Sequence, residues 1–273
     1  MKKKIANYQK TAWVRWLILA IIAITNIYIV ANPAAALIIF LLPITFALLH
    51  SFIMFGKKNT LVIFSIIMVV SYFAEFIGVH TGQLFGSYFY NNNGVNGFLV
   101  AGVPPLVTFS YVSMGYICYI IARIIFGQYE KLQGWMLLGV PMLAASFMTV
   151  WDMAFDPVVS YIKHLYTWEN GGAYFGVPIE NFTGWFITTF TFFILISLYL
   201  NTFTKKSDFI KSPKKLFLAE VIVAMLANAV AIIVNGFTPG ATSLHQAMGL
   251  VALFALGMPM VIATFRLLGQ KKR

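Results

Sequence analysis

Eight carboxylic acids occur in this chain of 273 residues, and five of them fall in its middle: Glu75, Asp152, Asp156, Glu169 and Glu180. Glu75, Asp152 and Asp156 sit in or beside apolar runs, where an ionisable side chain is a functional candidate by default. Ser71 and Glu75 are four residues apart and share a helix face, as do Asp152 and Asp156, with Thr149 on the same stripe. Pro157 disfavours helical geometry at the residue before it, so a helix is expected to end at Asp156. Carboxyls near a helix C-terminus and away from water are candidate proton donors, because the dipole and desolvation both work against the charged form. Glu180 is expected at a helix N-terminus, where the dipole favours the carboxylate. Acids and a base sorted by environment in this way suit general acid–base chemistry. The competing reading is a structural cluster of hydrogen-bonded carboxyls. Of the remaining acids, Glu130 and Asp208 are expected in solvated connections, and Glu220 is expected to pair with Arg123 or Arg266.

Two long segments must position these acids, at about 80–101 and 153–181. Both are rich in glycine and aromatics, with Tyr88 and Tyr90 in the first and Trp168 and Tyr174 in the second. Trp151 and Trp185 flank the second. Each segment closes on Gly-Val-Pro, at 102–104 and again 74 residues later at 176–178. The match suggests duplicated helix–loop–helix units at 60–126 and 133–203, although glycine and proline are common at helix starts in any case. Non-helical backbone near lipid must be buried or line a cavity. The loops are therefore expected to form a lid or the mouth of a pocket, beyond what an interfacial aromatic belt requires.

The frame for these loops is membranous. Residues are 60% hydrophobic and only 10% charged, and the mean hydropathy is +0.83. Soluble domains carry about 25% charged residues, so a soluble enzyme is excluded. Eight apolar segments of roughly spanning length lie at about 13–31, 33–55, 60–79, 102–126, 133–152, 182–203, 214–236 and 244–266. With eight spans and alternating sides, one side collects eighteen of the nineteen Lys and Arg residues and the other holds Lys163 alone. That bias puts both termini in the cytoplasm and both long loops outside. The expected fold is an all-α, multi-pass, single-domain protein of the cell membrane. A cleaved signal peptide is the competing reading of the first segment, with Lys2, Lys3 and Lys4 as its basic start and alanines at 34–36 as its cleavage site. The long apolar stretch and Pro33 favour an uncleaved helix. The net charge of +11 then reports orientation and attraction to anionic lipid, and nucleic acid is not an expected partner.

Other chemistries lack their residues. The single cysteine, Cys118, allows no intrachain disulfide. Four histidines, His50, His80, His164 and His245, are too few and too scattered for a membrane di-iron site, and Glu75 and His80 share a helix face poorly. No metal is expected. No glycine fingerprint follows a strand, so no dinucleotide site is expected either. A second aspartate-rich segment to partner Asp152 and Asp156, as a prenyltransferase needs, is missing. The last span has no central lysine for a retinal Schiff base.

Several motifs together carry a resemblance: Glu75-Phe-Ile-Gly78 with the run from Gly82 to Tyr90, both Gly-Val-Pro triplets, Asp156-Pro157, Gly172-Ala-Tyr174-Phe175 and Asn181-Phe-Thr-Gly184-Trp185. Over roughly 70–190 the chain resembles the carotenoid biosynthesis membrane family that includes the CruF-type carotenoid 1′,2′-hydratases and the archaeal bisanhydrobacterioruberin hydratase. The resemblance implies cofactor-free hydration of the terminal double bond of a forty- or fifty-carbon polyene, with the bilayer and other carotenoid-pathway enzymes as partners. That chemistry needs a strong acid, which a buried neutral carboxyl can supply, and aromatic faces for the tertiary cation. The expected donor is Glu75 or Asp152, with Asp156 the weaker choice. Trp151, Trp168 and Trp185 are the expected aromatics, and Glu180 and Asn181 are expected to position water. Tyr88, Tyr90 and Tyr174 complete the expected substrate contacts, and Glu75→Gln is expected to abolish turnover without unfolding the protein. Two alternatives stay open: a cyclase or isomerase using the same acid step, and a transporter or lipid-binding protein with broken helices.

Overall fold

The computed structural model describes residues 2–28, 33–91, 98–210 and 213–269, with side chains from Thr11 to Asn26 in the first helix and from Phe40 onward in the second. Several features read from the sequence lie outside the described residues or side chains. These are the end of the first segment at 29–31, the alanines at 34–36, residues 92–97 of the first long loop, and the side chains of Lys2, Lys3, Lys4, Lys10, Lys211, Lys271, Lys272 and Arg273.

Eight helices follow in order among the described residues: α1 (Lys2–Tyr28), α2 (Pro33–Phe55), α3 (Lys57–Thr81), α4 (Pro105–Phe126), α5 (Met136–Tyr161), α6 (Ile179–Phe203), α7 (Lys215–Phe237) and α8 (Ser243–Gly269). The last contains a π-helical turn at Ala252–Leu256. Two short strands, β1 (Tyr88–Tyr90) and β2 (Tyr166–Trp168), lie in the loops before α4 and α6. Helices α3 to α8 are each long and apolar enough to cross a membrane. The described parts of α1 and α2 add shorter apolar stretches at Thr11–Asn26 and Phe40–Phe55. The protein is an all-α membrane protein.

Helix α4 is the axis. Its residues from Tyr111 through Ile124 are buried without a break, Cys118 among them, as expected of a helix that is apolar on every side. The other seven close a ring around it, each packed on the next in the order α1, α2, α3, α6, α5, α8, α7 and back to α1. The ring brings α3 against α6 and α4 against α5. The loop ends of these two helix pairs therefore meet on one side of the axis.

Helix α5 differs from expectation at its end. It runs through Pro157 to Tyr161 rather than stopping at Asp156. Pro157 forfeits one backbone hydrogen bond, a loss tolerated in membrane helices packed against neighbours. Pro157 is buried, and Ser160 Oγ donates to the Asp156 carbonyl (2.7 Å). Asp152 is consequently more than two turns inside α5. The terminal dipole, which fades within the last turn, does not act on it, and burial is what sets its environment.

The two loops form one structure. Strands β1 and β2 pair antiparallel, with Tyr88 opposite Trp168, Phe89 opposite Thr167 and Tyr90 opposite Tyr166. Alternation along the strands turns the four aromatics of the outer pairs inward and leaves Phe89 and Thr167 exposed. Asn91 N extends the pairing to the Leu165 carbonyl (2.9 Å), and Glu169 N to the Ser87 carbonyl (3.0 Å). Each loop then makes the same tight turn before its proline. Val100 and Val103 exchange both backbone hydrogen bonds, as do Tyr174 and Val177. The central residues are Ala101 and Gly102 (φ 46° and 80°) in one turn and Phe175 and Gly176 (φ 47° and 86°) in the other. Positive φ at both places defines a type I′ turn. Pro104 and Pro178 then cap α4 and α6 in extended geometry.

Candidate active site

Beneath the ribbon lies a cavity of about 390 Å³, within the range of small-molecule sites. Its wall includes Glu75 from α3, Tyr111 from α4, Asp152 and Asp156 from α5, Asn181 and Trp185 from α6, and the inward residues of both strands. Glu75, Asp152, Asp156 and Asn181 are all buried.

Glu75 sits in a cage of phenols. Tyr88 and Tyr90 donate to its Oε2 at 2.5 and 2.8 Å, and Tyr111 donates to its Oε1 at 2.8 Å. The first two come from β1 and the third from α4, so the cage exists only where ribbon and axis meet. Three donors on two oxygens fill most of the roughly four acceptor sites of a carboxylate. Burial pushes the Tyr88 and Tyr90 hydroxyls well above the ordinary phenol range, and the charge of Glu75 pushes them further. Both therefore remain donors.

The aspartates form a second centre. They stand one turn apart on α5 and are both buried. The Asn181 amide bridges them, donating to Asp152 Oδ2 at 2.8 Å and to Asp156 Oδ2 at 2.6 Å. Tyr166 donates to Asp156 Oδ1. Burial, and then the Asp156 charge, raise the Tyr166 hydroxyl well above the usual range. The ribbon thus reaches both centres: Tyr88 and Tyr90 hold the glutamate and Tyr166 holds the aspartates. The Tyr88 and Tyr90 rings lie 6.2 and 5.7 Å from that of Tyr166.

Aromatic faces line the rest. Trp185 stacks on Tyr111 at 4.4 Å, Trp151 stands 6.0 Å from Trp185 and stacks on Phe155, and Trp168 packs on Tyr88 at 4.9 Å. The indole N–H groups of Trp151 and Trp168 are buried with no acceptor among the described residues. All three tryptophans singled out in the sequence line the cavity.

Other residues are placed differently from expectation. Glu169 and Glu180 are exposed and do not line the cavity, because Glu180 occupies the outward face of the first turn of α6 while Asn181 faces inward. Tyr174 also stands off the wall. Its backbone closes the second turn, and its ring packs on Phe175 and Phe182 (5.0 and 5.1 Å). Glu220 pairs with Arg15 (2.6 Å) rather than with Arg123 or Arg266, since α1 and α7 are neighbours in the ring. Arg123 instead donates to Tyr119 and to the Gln128 and Glu130 carbonyls. Glu130 and Asp208 are half-buried. His50 is hydrogen-bonded packing, held by the Tyr116 hydroxyl (2.6 Å) and the Phe217 carbonyl (2.9 Å).

Sequence reasoning did not single out Tyr111, Tyr166 or Lys163, all of which line the cavity. A signal for Tyr111 was present: it follows Pro104 by seven residues, as Trp185 follows Pro178, and the two rings stack. Among the described residues no three His, Cys, Asp or Glu side chains converge to hold a metal ion.

A family described as carotenoid biosynthesis protein has a model that matches residues 34–255 of the chain. No curated protein and no solved structure matches it.

Proposed function

The chain belongs to the carotenoid biosynthesis protein family, and from that premise we propose that it hydrates the terminal double bond of an acyclic or monocyclic carotenoid by acid catalysis without a cofactor. One observation carries the reading. A bridged pair of aspartates and a phenol-caged glutamate face the same aromatic cavity.

In this mechanism Asp152 is the proton donor. Two carboxyls sharing one amide in a buried site do not both hold a negative charge, so the pair keeps one proton. Tyr166 and Asn181 both donate to Asp156, which leaves the proton on Asp152. Transfer to the less substituted carbon of that double bond breaks its π bond, forms a C–H bond and leaves a tertiary cation on the terminal carbon. The faces of Trp151, Trp185 and Trp168 stabilise that cation. Water adds its oxygen to the cationic carbon, and its surplus proton passes to the Glu75 carboxylate. A proton then returns from Glu75 to the aspartate pair, closing the cycle with no net acid consumed. Glu75 is thus the base and the counter-charge, Asp152 the acid and Asn181 the clamp between the aspartates. Glu180 has no part in the cycle.

The same reading takes all eight helices across the cell membrane with both termini in the cytoplasm, as the lysine and arginine distribution favours. It makes α3–α4 and α5–α6 duplicated units, each contributing one acid centre and one strand.

Expression in a host that makes lycopene, followed by mass analysis of the pigments, tests the function. The expected product is one water heavier and is lost in Asp152→Asn and in Glu75→Gln, with both variants still folded. An isomer of unchanged mass from the native chain would replace hydration by cyclisation or isomerisation. A hydrate made at full rate by Asp152→Asn would overturn the acid assignment.

A further inference from the structure

The acid centres account for only one side of the cavity. The same cavity is also lined by Asn26 of α1, Asn228 of α7, and Ser110 and Ser113 of α4. All four are neutral, and none of them contacts the carboxyls or the ribbon through a hydrogen bond. Asn26 Nδ2 donates to the Ala227 carbonyl at 3.0 Å, which sets Asn26 against α7 beside Asn228. Asn228 Nδ2 donates to its own helix, at the Ala224 carbonyl (2.8 Å), and Ser113 Oγ donates to the Ser110 carbonyl (3.1 Å). Each amide nitrogen thus has one of its two N–H groups engaged. No donor among the described residues reaches the amide oxygen of Asn26 or Asn228, and the Ser110 hydroxyl has no partner there either. Asn26 is only 7% exposed.

Amide oxygens in the interior of a membrane helix bundle cost free energy unless something hydrogen-bonds to them. Asn228 and Ser110 are half-buried, and a donor within the cavity would satisfy all three. A hydrocarbon polyene has no donor to offer. Water has two, and the site meets its requirements: two or more polar partners and far more room than the roughly 10–15 Å³ that one molecule needs.

We propose that Asn26, Asn228 and Ser110 form the binding site for the water that is the second substrate. The inference rests on the hydration reading above and adds to it where the nucleophile waits. Two amide oxygens accept the hydrogens of a water molecule and leave its lone pairs facing the cavity. Neutral acceptors suit the task, because a basic side chain here would compete for the proton that generates the cation. Water in place before protonation matters chemically. A tertiary cation that meets no water loses a neighbouring proton or is captured by another double bond, and either fate gives an isomer. When water is held there, its oxygen forms the C–O bond, and the released proton goes to the Glu75 carboxylate.

The test compares Asn228→Leu and the double variant Asn228→Leu/Ser110→Ala with the native protein, scoring both substrate consumed and product mass. Consumption is expected to stay within about threefold of native, while the ratio of hydrate to unchanged-mass isomer falls about tenfold or more. Asn228→Gln, which keeps an amide oxygen, is expected to restore part of that ratio. A loss of consumption with the ratio unchanged would make these residues merely structural and overturn the proposal. A second measurement does not depend on turnover: an experimental structure at high resolution is expected to show ordered water within hydrogen-bond distance of the Asn26 and Asn228 amide oxygens. A dry wall there would also overturn it. If the native protein yields no hydrate yet ordered water is present, the hydration reading fails while the water site stands.

Discussion

At Glu75 the identity of the neighbours decides what the carboxyl can do. A buried glutamate with no donors would be held as a neutral acid. One that accepts from Tyr88, Tyr90 and Tyr111 has three donors that favour its carboxylate form, each charge-assisted bond contributing about 1.5–3 kcal/mol against the cost of burial. The sequence reading allowed Glu75 as donor or Asp152 as donor, and the phenol cage tips the proposal to Asp152. The cage also has a consequence for pH. The Tyr88, Tyr90 and Tyr166 hydroxyls are raised above their ordinary value by burial and by neighbouring carboxyls. A phenol raised in the folded state stabilises the fold fully below its unfolded value of about 10, and that contribution is lost as pH rises through the folded value. The melting temperature is therefore expected to hold up to about pH 10 and to fall beyond it. Tyr166→Phe removes the phenol between the ribbon and Asp156. With the donor that leaves the proton on Asp152 gone, this variant is expected to lose about tenfold or more in both the first turnover and kcat. Rapid-quench analysis of a single turnover against the steady state measures both, and a first turnover at the native rate would contradict the placement of the proton by Tyr166.

The ribbon is the element that joins the centres, and glycine on α6 seats it. A Cβ on Gly184 would collide with the Leu84 carbonyl and with the Phe85 ring at 2.8 Å. Backbone cannot give way there as a flexible side chain would. Gly184→Leu is expected to lift the 82–87 segment and carry Tyr88 and Tyr90 away from Glu75. Activity should fall at least tenfold, while circular dichroism stays that of a folded helical bundle. Native activity in that variant would show that the ribbon does not position the acid. The paired turns belong to the same scale. Gly-Val-Pro was visible in the sequence as a repeated triplet. The positive φ angles at 101–102 and 175–176 give it a physical content, a reversal that aims each chain into its helix.

On the scale of the whole molecule, two polar regions share one bundle. The cavity and its carboxyls lie at the loop ends of α3, α5 and α6. At the opposite ends of the ring, Arg15 and Glu220 are fully buried, with Arg15 Nε and Nη2 both donating to the carboxylate (2.6 and 3.0 Å). Arg15 also lies over the Phe217 ring at 5.5 Å. This pair ties α1 to α7 and so closes the ring. Arg15→Leu would leave Glu220 buried without its partner and is expected to cost about 3–5 kcal/mol. Arg15→Leu/Glu220→Leu is expected to regain most of that. Denaturation of the purified protein in detergent measures both. A double variant no more stable than the single one would show that the arginine acts through packing alone.

The sequence by itself determined the class of the molecule. Apolar length and the placement of Lys and Arg are properties summed along the chain against a fixed external reference, the bilayer, so the eight apolar segments reappear as eight helices, with α1 starting earlier, at Lys2, and α5 running on to Tyr161. It also marked Glu75, Asp152, Asp156, Asn181 and the three tryptophans, because a polar or aromatic residue stands out where lipid or loop should dominate. Only the tertiary structure decided which of these meet. Whether Glu180 or Asn181 faces inward depends on the rotation of α6, a matter of one residue and about 100°. Whether Glu220 finds Arg15 or Arg123 depends on the order of helices in the ring, which no local pattern encodes. The glutamate acquires its phenols from residues 13, 15 and 36 positions away, through a ribbon whose register is set by its partner strand. Hydropathy is additive along the chain, whereas hydrogen bonds are pairwise and directional, and pairs this distant exist only once the bundle has closed.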